Sequence, residues 1–377
     1  MNIGIDIDDT LTNSFDYFMP YVAEYFGVSI NELKEKKISY GNLPEEWKKD
    51  EVGFCQTYYD QIVPMTPFKK DAVWGIEKLR ELGHKIIIIT ARSYELYTDP
   101  YQTTKQELMN GQIVYDQLIC TMNKAQACIQ ENISVLIDDH IGNCLAANQQ
   151  GIAAIVFNSA ANLNEQVEWN RVSNWHEAIM EIENIERGYP DCHTAEELLL
   201  EAEKINPGAW GNHCRVAAQC AKKIAKVCAM DDEKAYVLGI LHDIGRKFLV
   251  RDLGHVYYGY QYMQRLGYHQ VARVCLTHSF LNQDLDLYIG KLDIPYPEVE
   301  EVKTLLQHII YDDYDRLIQL CDALAGSEGV IDIEERMADV KQRYGNYPQA
   351  QWDKNIELKS YFETKARQNI YDIVSDK

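Results

Sequence analysis

Five short apolar runs divide the first half of the chain: Asn2 to Ile7, His84 to Thr90, Tyr115 to Cys120, Ser134 to Ile137 and Ile152 to Phe157. Runs of that length suit buried strands, and the intervals carry helix-like spacing, such as Ala72, Ile76, Leu79 and Leu82 closed by Gly83. Alternation of this kind predicts a doubly wound α/β domain around a parallel sheet, whose ligands collect at the carboxyl ends of the strands. One interval breaks the rhythm. Ser14 to Pro67 is helical in pattern and rich in aromatics, among them Phe15, Phe18, Tyr21 and Phe26. Inserted directly after the first strand, it predicts a helical cap over the strand ends, placed to exclude water from whatever binds there.

The residues at those ends carry the chemistry. The first run closes in Asp6-Ile7-Asp8-Asp9-Thr10, and carboxylates so close together are costly unless a cation or a proton reaction uses them. For Asp-Asp-Thr alone, a turn with an Asp helix cap is the plainer alternative. The other ends shift the balance: the second run closes in Thr90, with Ala91 and Arg92 after it, Lys124 opens the helix after the third, and the fourth runs into Asp138-Asp139. In a parallel sheet all these ends point one way. They bring carboxylates, a hydroxyl and an ammonium around one crevice, a set suited to a phosphoryl group beside Mg²⁺.

In that order the residues resemble the haloacid dehalogenase superfamily of phosphatases over roughly the first 185 residues. Its Asp-x-Asp-x-Thr signature is matched by Asp6, Asp8 and Thr10, its second-motif Thr by Thr90, its Lys by Lys124, and its acidic pair by Asp138 and Asp139. The cap position and the Ile-Asp-Asp ending look most like the 5′-nucleotidase branch. The resemblance implies that Asp6 attacks phosphorus to form an aspartyl-phosphate, and that Asp8 protonates the leaving oxygen and later deprotonates water. It also implies that Thr90 and Lys124 hold the equatorial oxygens, and that Mg²⁺ is bound by Asp6, the Asp8 carbonyl and the Asp138-Asp139 pair. Thr10 and Arg92 are the expected substrate-side residues, although an Arg after a strand is often only an exposed surface charge.

After Glu177 to Glu186 the pattern loosens through Gly188, Tyr189, Pro190 and Asp191, predicting a linker over residues 186–193 between domains at 1–185 and 194–377. From Thr194 to Tyr371 apolar spacings of three and four recur, as in Val216, Cys220, Ile224 and Val227, so the second domain should be all-α. Seven of the ten histidines lie beyond Pro190. His242-Asp243 ends an apolar helix just before Gly245, where an unpaired carboxylate would be expensive. His213 begins a helix, His278 lies four residues after Val274 on an apolar face, and Asp322 sits inside Leu317 to Leu324. Ligand-type side chains recurring in apolar helices point to a metal site in a bundle core.

The order His213, His242-Asp243, Asp322 resembles the HD superfamily of metal-dependent phosphohydrolases over residues 194–345. His255 and His278 look like the extra histidines of its two-metal subgroup, and the run Leu324 to Gly345, with Glu335-Arg336 and Arg343-Tyr344-Gly345, is similar to bacterial members. Under that resemblance His213, His242, Asp243 and Asp322 hold one metal, and Asp243 bridges to a second held by His255 and His278. The pair would activate a water for direct attack on phosphorus. Imidazole-rich coordination favours Fe, Mn, Co, Ni or Zn over Mg. Arg246 and Lys247 are expected to bind substrate phosphates, or equally to be favourable charges at a helix carboxyl end. His255, after the loop-like Asp252-Leu253-Gly254, has exposure as its alternative; His269 and His308 are assigned to surface or packing roles.

A length of 377 residues predicts two or three domains. The net charge of −21, divided as −13 up to Pro190 and −8 beyond it, offers no basic field for long nucleic acid or anionic membranes. A small phosphorylated ligand, a nucleotide above all, is the expected partner; oligomeric state is left open. No stretch approaches the eighteen or so apolar residues of a membrane helix, the chain opens without a basic leader, and the ten cysteines form no C-x-x-C pair, so a cytoplasmic address with reduced thiols is expected. The leading expectation is a bifunctional phosphohydrolase in which the helical domain makes a monophosphate and the α/β domain hydrolyses it. The alternative keeps the α/β phosphatase and makes the helical domain a non-catalytic nucleotide sensor.

Overall fold

The computed structural model describes residues 1–36, 38, 43–165, 167 and 170–375; residues 37 and 39–42 of the expected cap lie outside the described residues. The chain divides into two units, Met1–Glu186 and Arg187–Lys377.

The first unit is built on a six-stranded parallel sheet: β1 Asn2–Ile5, β2 Lys85–Thr90, β3 Gln117–Cys120, β4 Val135–Asp138, β5 Ala153–Phe157 and β6 Asn170–Val172. Strand order is β3-β2-β1-β4-β5-β6. Strands β2, β4 and β5 are almost wholly buried, as continuous apolar runs require. The order reverses between β1 and β4, the position where doubly wound sheets open a crevice, so the ends carrying Asp6 and Asp138 lie side by side.

Two expectations about strands need correction. The first strand ends at Ile5 rather than Ile7, because the Ile7 carbonyl accepts turn hydrogen bonds from the amides of Thr10, Leu11 and Thr12. The sixth strand escaped notice because Asn170-Arg171-Val172 is a polar edge in which only Val172 is buried.

Between β1 and β2 lie the cap helices α1 Ser14–Phe26, α2 Ile30–Glu35, α3 Glu45–Lys48 and α4 Glu51–Ile62, followed by α5 Ala72–Glu81. The cap aromatics form a core of their own, with Phe18, Phe54 and Tyr59 buried together with Leu33 and with Tyr97 from the segment after β2. Much of the aromatic richness is therefore spent on holding the cap together. Helices α6 Pro100–Asn110, α7 Lys124–Gln130, α8 Ile141–Asn148 and α9 Trp175–Arg187 complete the succession. Asn123 caps α7 by accepting the Gln126 amide, which places Lys124 at the first helical position beyond β3.

The second unit is helical: α10 Cys192–Ile205, α11 Trp210–Val227, α12 Asp232–Leu241, α13 Leu253–Arg265, α14 His269–Thr277, α15 Tyr296–His308, α16 Asp313–Leu324, α17 Ile333–Tyr344, α18 Gln349–Ala366 and α19 Ile370–Val374. Helix α11 packs on α12 and α16, and α13 on α14. Two glycines permit the approaches that matter. A Cβ at Gly239 would lie 2.7 Å from the Ala218 Cα, so only glycine lets α12 meet α11 so closely. At Gly245, in the turn after α12, a Cβ would lie 1.9 Å from the His255 carbonyl oxygen.

All ten cysteines are free thiols, eight of them buried. Among the described residues no helix is long and apolar enough to cross a membrane.

Candidate metal centres

In the first unit, β1, β4 and the start of α7 bring Asp6, Asp138 and Lys124 together. The buried Lys124 ammonium lies 2.6 Å from Asp6 and 2.7 Å from Asp138. Burial alone would lower the Lys124 pKa, but Asp138 and Asp6 outweigh it and hold the pKa above its ordinary value. Burial pushes the Asp6 carboxyl up to about 7, against the pull of Lys124 and with the push of Asp138 and Asp8. Asp6, Asp138 and Asp139 each offer an oxygen within a set spanning 4.8 Å. Burial, then Asp138, raises the Asp139 pKa, so three acids share one cation of this chain and a second cation is wanted. The Thr90 hydroxyl, buried at the end of β2, has no hydrogen-bond partner among the described residues. An orphaned hydroxyl beside an acid set short of positive charge fits a crevice that receives an anion together with a divalent ion.

Removing the ammonium exposes the arithmetic of these charges. Lys124→Met should destabilise the first unit by about 3–5 kcal/mol in the absence of divalent ions, because it strands two buried carboxylates. Chemical denaturation measures it, and a loss below about 1 kcal/mol would contradict the assignment of Lys124 as their counter-charge.

The remaining crevice residues depart from expectation in two ways. Thr10 is fully buried and its hydroxyl accepts the Asp139 amide at 3.1 Å, so it ties the β1 turn to the end of β4 instead of meeting substrate. Arg92, expected at a substrate phosphate or on the surface, is 2% exposed. Its guanidinium donates to both Asp8 oxygens at 3.2 and 3.3 Å, to Glu107 at 2.6 Å and to Thr104 at 3.0 Å. The Ser14 hydroxyl also donates to Asp8, at 2.8 Å. Arg92 thus anchors Asp8, and Glu107 anchors Arg92. Sequence reasoning missed Glu107, although Thr104, Glu107 and Leu108 share one face of α6 and a Glu on such a face is a signal.

In the second unit, α11, α12, α13, α14 and α16 bring four histidines and two aspartates together. His213 Nε2 lies 3.0 Å and His242 Nε2 3.9 Å from Asp322 Oδ1. His255 Nε2 lies 3.0 Å and His278 Nε2 3.5 Å from Asp243 Oδ1. Every one of these rings uses Nδ1 on a backbone carbonyl: His213 on Ala325, His242 on Gly239, His255 on Asp252 and His278 on Cys275. A carbonyl only accepts, so each Nδ1 carries the hydrogen, and in its neutral form each ring turns a lone pair at Nε2 towards the carboxylates. The His242 Nε2 is buried with no hydrogen-bond partner among the described residues. Four imidazoles fixed in the tautomer a metal needs, one with an orphaned donor, fit two metal ions.

Electrostatics agrees with the grouping. Burial depresses the His242 pKa to about 4, keeping the ring neutral. Asp322 overrides burial to raise His213, and Asp243 does the same for His278. Burial opposes ionisation of Asp243, but Arg246 and then His255 hold its carboxyl well below the usual range.

The donors separate into a set of His213, His242 and Asp322 and a set of Asp243, His255 and His278, with Cys214 completing a third set beside His242 and Asp243. Asp243, expected to hold the first metal and to bridge to the second, belongs to the set with His255 and His278 and to the one with Cys214 and His242. Cys214, absent from the sequence expectation, is a fully buried thiol whose pKa burial raises well above the ordinary value. His255 is neither loop-borne nor exposed: it sits buried in the first turn of α13. Arg246 pairs with Asp243 and lines the cavity beside the cluster. Lys247 does not line it; the side chain is buried and its ammonium donates to the Tyr262 hydroxyl at 3.1 Å, so the expected phosphate contact is not made.

Gly245→Ala is expected to lower the melting temperature of the second unit and to strip it of transition metal, because the new Cβ drives the Asp243 turn off the His255 carbonyl. Metal retained at the wild-type level would contradict the role given to that close approach.

Residues 210–326 match the HD domain family model. No curated protein matches the chain at significance. Among solved structures, a haloacid dehalogenase-like family hydrolase from Streptococcus pneumoniae is similar at 17% identity, covering 47% of this chain and 96% of that one, with a TM-score of 0.35. A structure described as a predicted phosphatase from Clostridium acetobutylicum is similar at 16% identity, covering 48% and 98%, with a TM-score of 0.38.

Proposed function

With an HD domain across residues 210–326 and a carboxylate–lysine crevice at the ends of a parallel sheet as premises, we propose that the chain is a bifunctional hydrolase of phosphate esters, acting on nucleotides or related small phosphates with one reaction centre in each unit. The observation that carries this reading is the buried donor cluster in each unit, accompanied among the described residues by an orphaned polar atom, the Thr90 hydroxyl at the strand ends and the His242 Nε2 in the helical unit.

In the first unit an Asp6 oxygen attacks phosphorus, the bond from phosphorus to the leaving oxygen breaks, and Asp8 delivers its proton to that oxygen. Water then attacks the aspartyl-phosphate at phosphorus, Asp8 takes up the water proton, and phosphate leaves with the Asp6 carboxylate restored. Lys124 and the Thr90 hydroxyl hold the non-bridging oxygens. Arg92 and Ser14 fix the Asp8 carboxylate so that it meets the leaving oxygen rather than swinging free. Mg²⁺ held by Asp6, Asp138 and Asp139 would neutralise charge on the transferring group.

In the second unit two transition-metal ions held by the histidine–aspartate sets would supply Lewis acidity and lower the pKa of water. The chain's part is to keep every ring in one tautomer and to hold Asp243 ionised between the sets. Under this reading the helical unit converts a phosphodiester, phosphoanhydride or cyclic nucleotide to a monophosphate, which the α/β unit hydrolyses. A net charge of −21 fits a small ligand met through metal ions better than a long polyanion.

The test is phosphate release from nucleoside monophosphates, cyclic nucleotides and nucleoside polyphosphates, with Mg²⁺ and with Mn²⁺. Mg²⁺-dependent release from monophosphates and Mn²⁺-dependent conversion of the other classes are expected. Metal-loaded protein inert towards all three would end the proposal.

A further inference from the structure

A cavity of about 450 Å³ in the second unit is lined by the histidine–aspartate residues and by four arginines, Arg246, Arg251, Arg336 and Arg343. Three of those are accounted for. Arg246 is held by Asp243, Arg343 pairs with Asp339 at 2.8 Å, and Arg251 is exposed to water, where screening weakens any contact.

Arg336 differs. It is half-buried, and among the described residues no carboxylate pairs with it, in a unit whose acidic side chains outnumber its basic ones. It lies close enough for its charge to act on both His213 and Tyr347. Its place is fixed by the helix that carries it: Ile333 and Met337, one turn apart on α17, are buried, and Arg336, Met337, Val340 and Tyr344 line the cavity at helical spacing. A guanidinium taken partly out of water without an anion is unfavourable, and its planar fork matches two oxygens of a phosphoryl group.

We propose that Arg336 is the anion-binding, specificity-determining residue of this cavity, gripping a terminal dianionic phosphoryl group of the substrate from a helix beyond the matched residues 210–326. The inference rests on the reading of the second unit as a phosphate-ester hydrolase for the word substrate alone; the anion contact itself is independent of catalysis. Metal ions attract any phosphate. A terminal phosphoryl group offers three free oxygens and two negative charges against the two oxygens and single charge of a diester, so it can meet the metal ions and the fork at once, and the added cation favours it. The half-buried Arg336 and the exposed Arg343 thus differ in purpose, because Arg343 already has its acid.

The experiment loads the full chain with Co²⁺ and titrates inorganic phosphate, reading the visible absorption of the histidine-bound ion, which reports on the second unit alone. Arg336→Gln should weaken phosphate roughly ten- to a hundredfold at unchanged cobalt content, the loss of one charge-assisted contact, whereas Arg343→Gln should change it by less than about threefold. On the unsubstituted chain, phosphate should protect Arg336 from phenylglyoxal, read by peptide mass; this needs no variant to fold. Wild-type absorption indifferent to phosphate, Arg336→Gln binding phosphate as wild type does, or Arg336 labelling unaltered by phosphate would each overturn the proposal. Because these readouts record binding, a helical unit that binds phosphate but hydrolyses nothing would sink the hydrolase reading and leave this one standing.

Discussion

Asp243→Ala is expected to abolish turnover by the helical unit, by about 10³-fold or more, and to remove most of its transition metal. Asp243 touches His255 and His278, pairs with Arg246 and stands between the two donor sets. Without it, a half-buried guanidinium and four imidazoles confront one another with a single carboxylate left, Asp322, and cation binding becomes repulsive. Asp243→Asn keeps the shape and removes the charge, so it should lose metal to a similar degree. Metal emission analysis and phosphate release on both variants check this. Full metal content in Asp243→Asn would show that packing rather than charge is the contribution of Asp243. Phosphomonoester hydrolysis by the first unit should survive both changes.

Asp6→Asn should abolish that phosphomonoester hydrolysis, by about 10⁴-fold or more, since an amide cannot form the aspartyl-phosphate. Its effect on stability should run the other way. Burial already pushes the Asp6 carboxyl up to about 7, which means the folded environment disfavours its charge. A neutral isostere relieves that, so the melting temperature should hold or rise, as happens where an active site is kept at a cost in stability. Lys124→Met offers the contrast, losing both. If Asp6→Asn retained substantial phosphate release, another residue would have to be the nucleophile and the reading of this crevice would be wrong.

The parts legible in the sequence are those that neighbouring residues determine. Continuous apolar runs gave β2, β4 and β5 because both faces of those strands are covered, and the ligand candidates stood out because each is an acid or imidazole set into an apolar helix. What stayed hidden depends on partners distant in the chain. The role of Arg92 is set by Glu107, and the start of α13, two residues before His255, by Asp293, whose carboxylate accepts the Asp252 and Gly254 amides where the Asp252 side chain makes no cap. Lys247 was misplaced by a single residue. In the 3-10 turn Ile244–Phe248 successive side chains diverge by about 120°, so Arg246 faces Asp243 while Lys247 faces Tyr262. Arg336 acts at a cavity whose other walls come from helices far earlier in the chain, and spacing within α17 does not reveal them.

Anomalous diffraction from crystals grown with Mn²⁺ tests the central claim most directly. Density is expected at the Asp6, Asp138 and Asp139 oxygens and at both histidine–aspartate sets, with the His242 Nε2 among the atoms in contact. Crystals whose only Mn²⁺ peaks lay on surface carboxylates, leaving these three sets without a cation, would contradict the account.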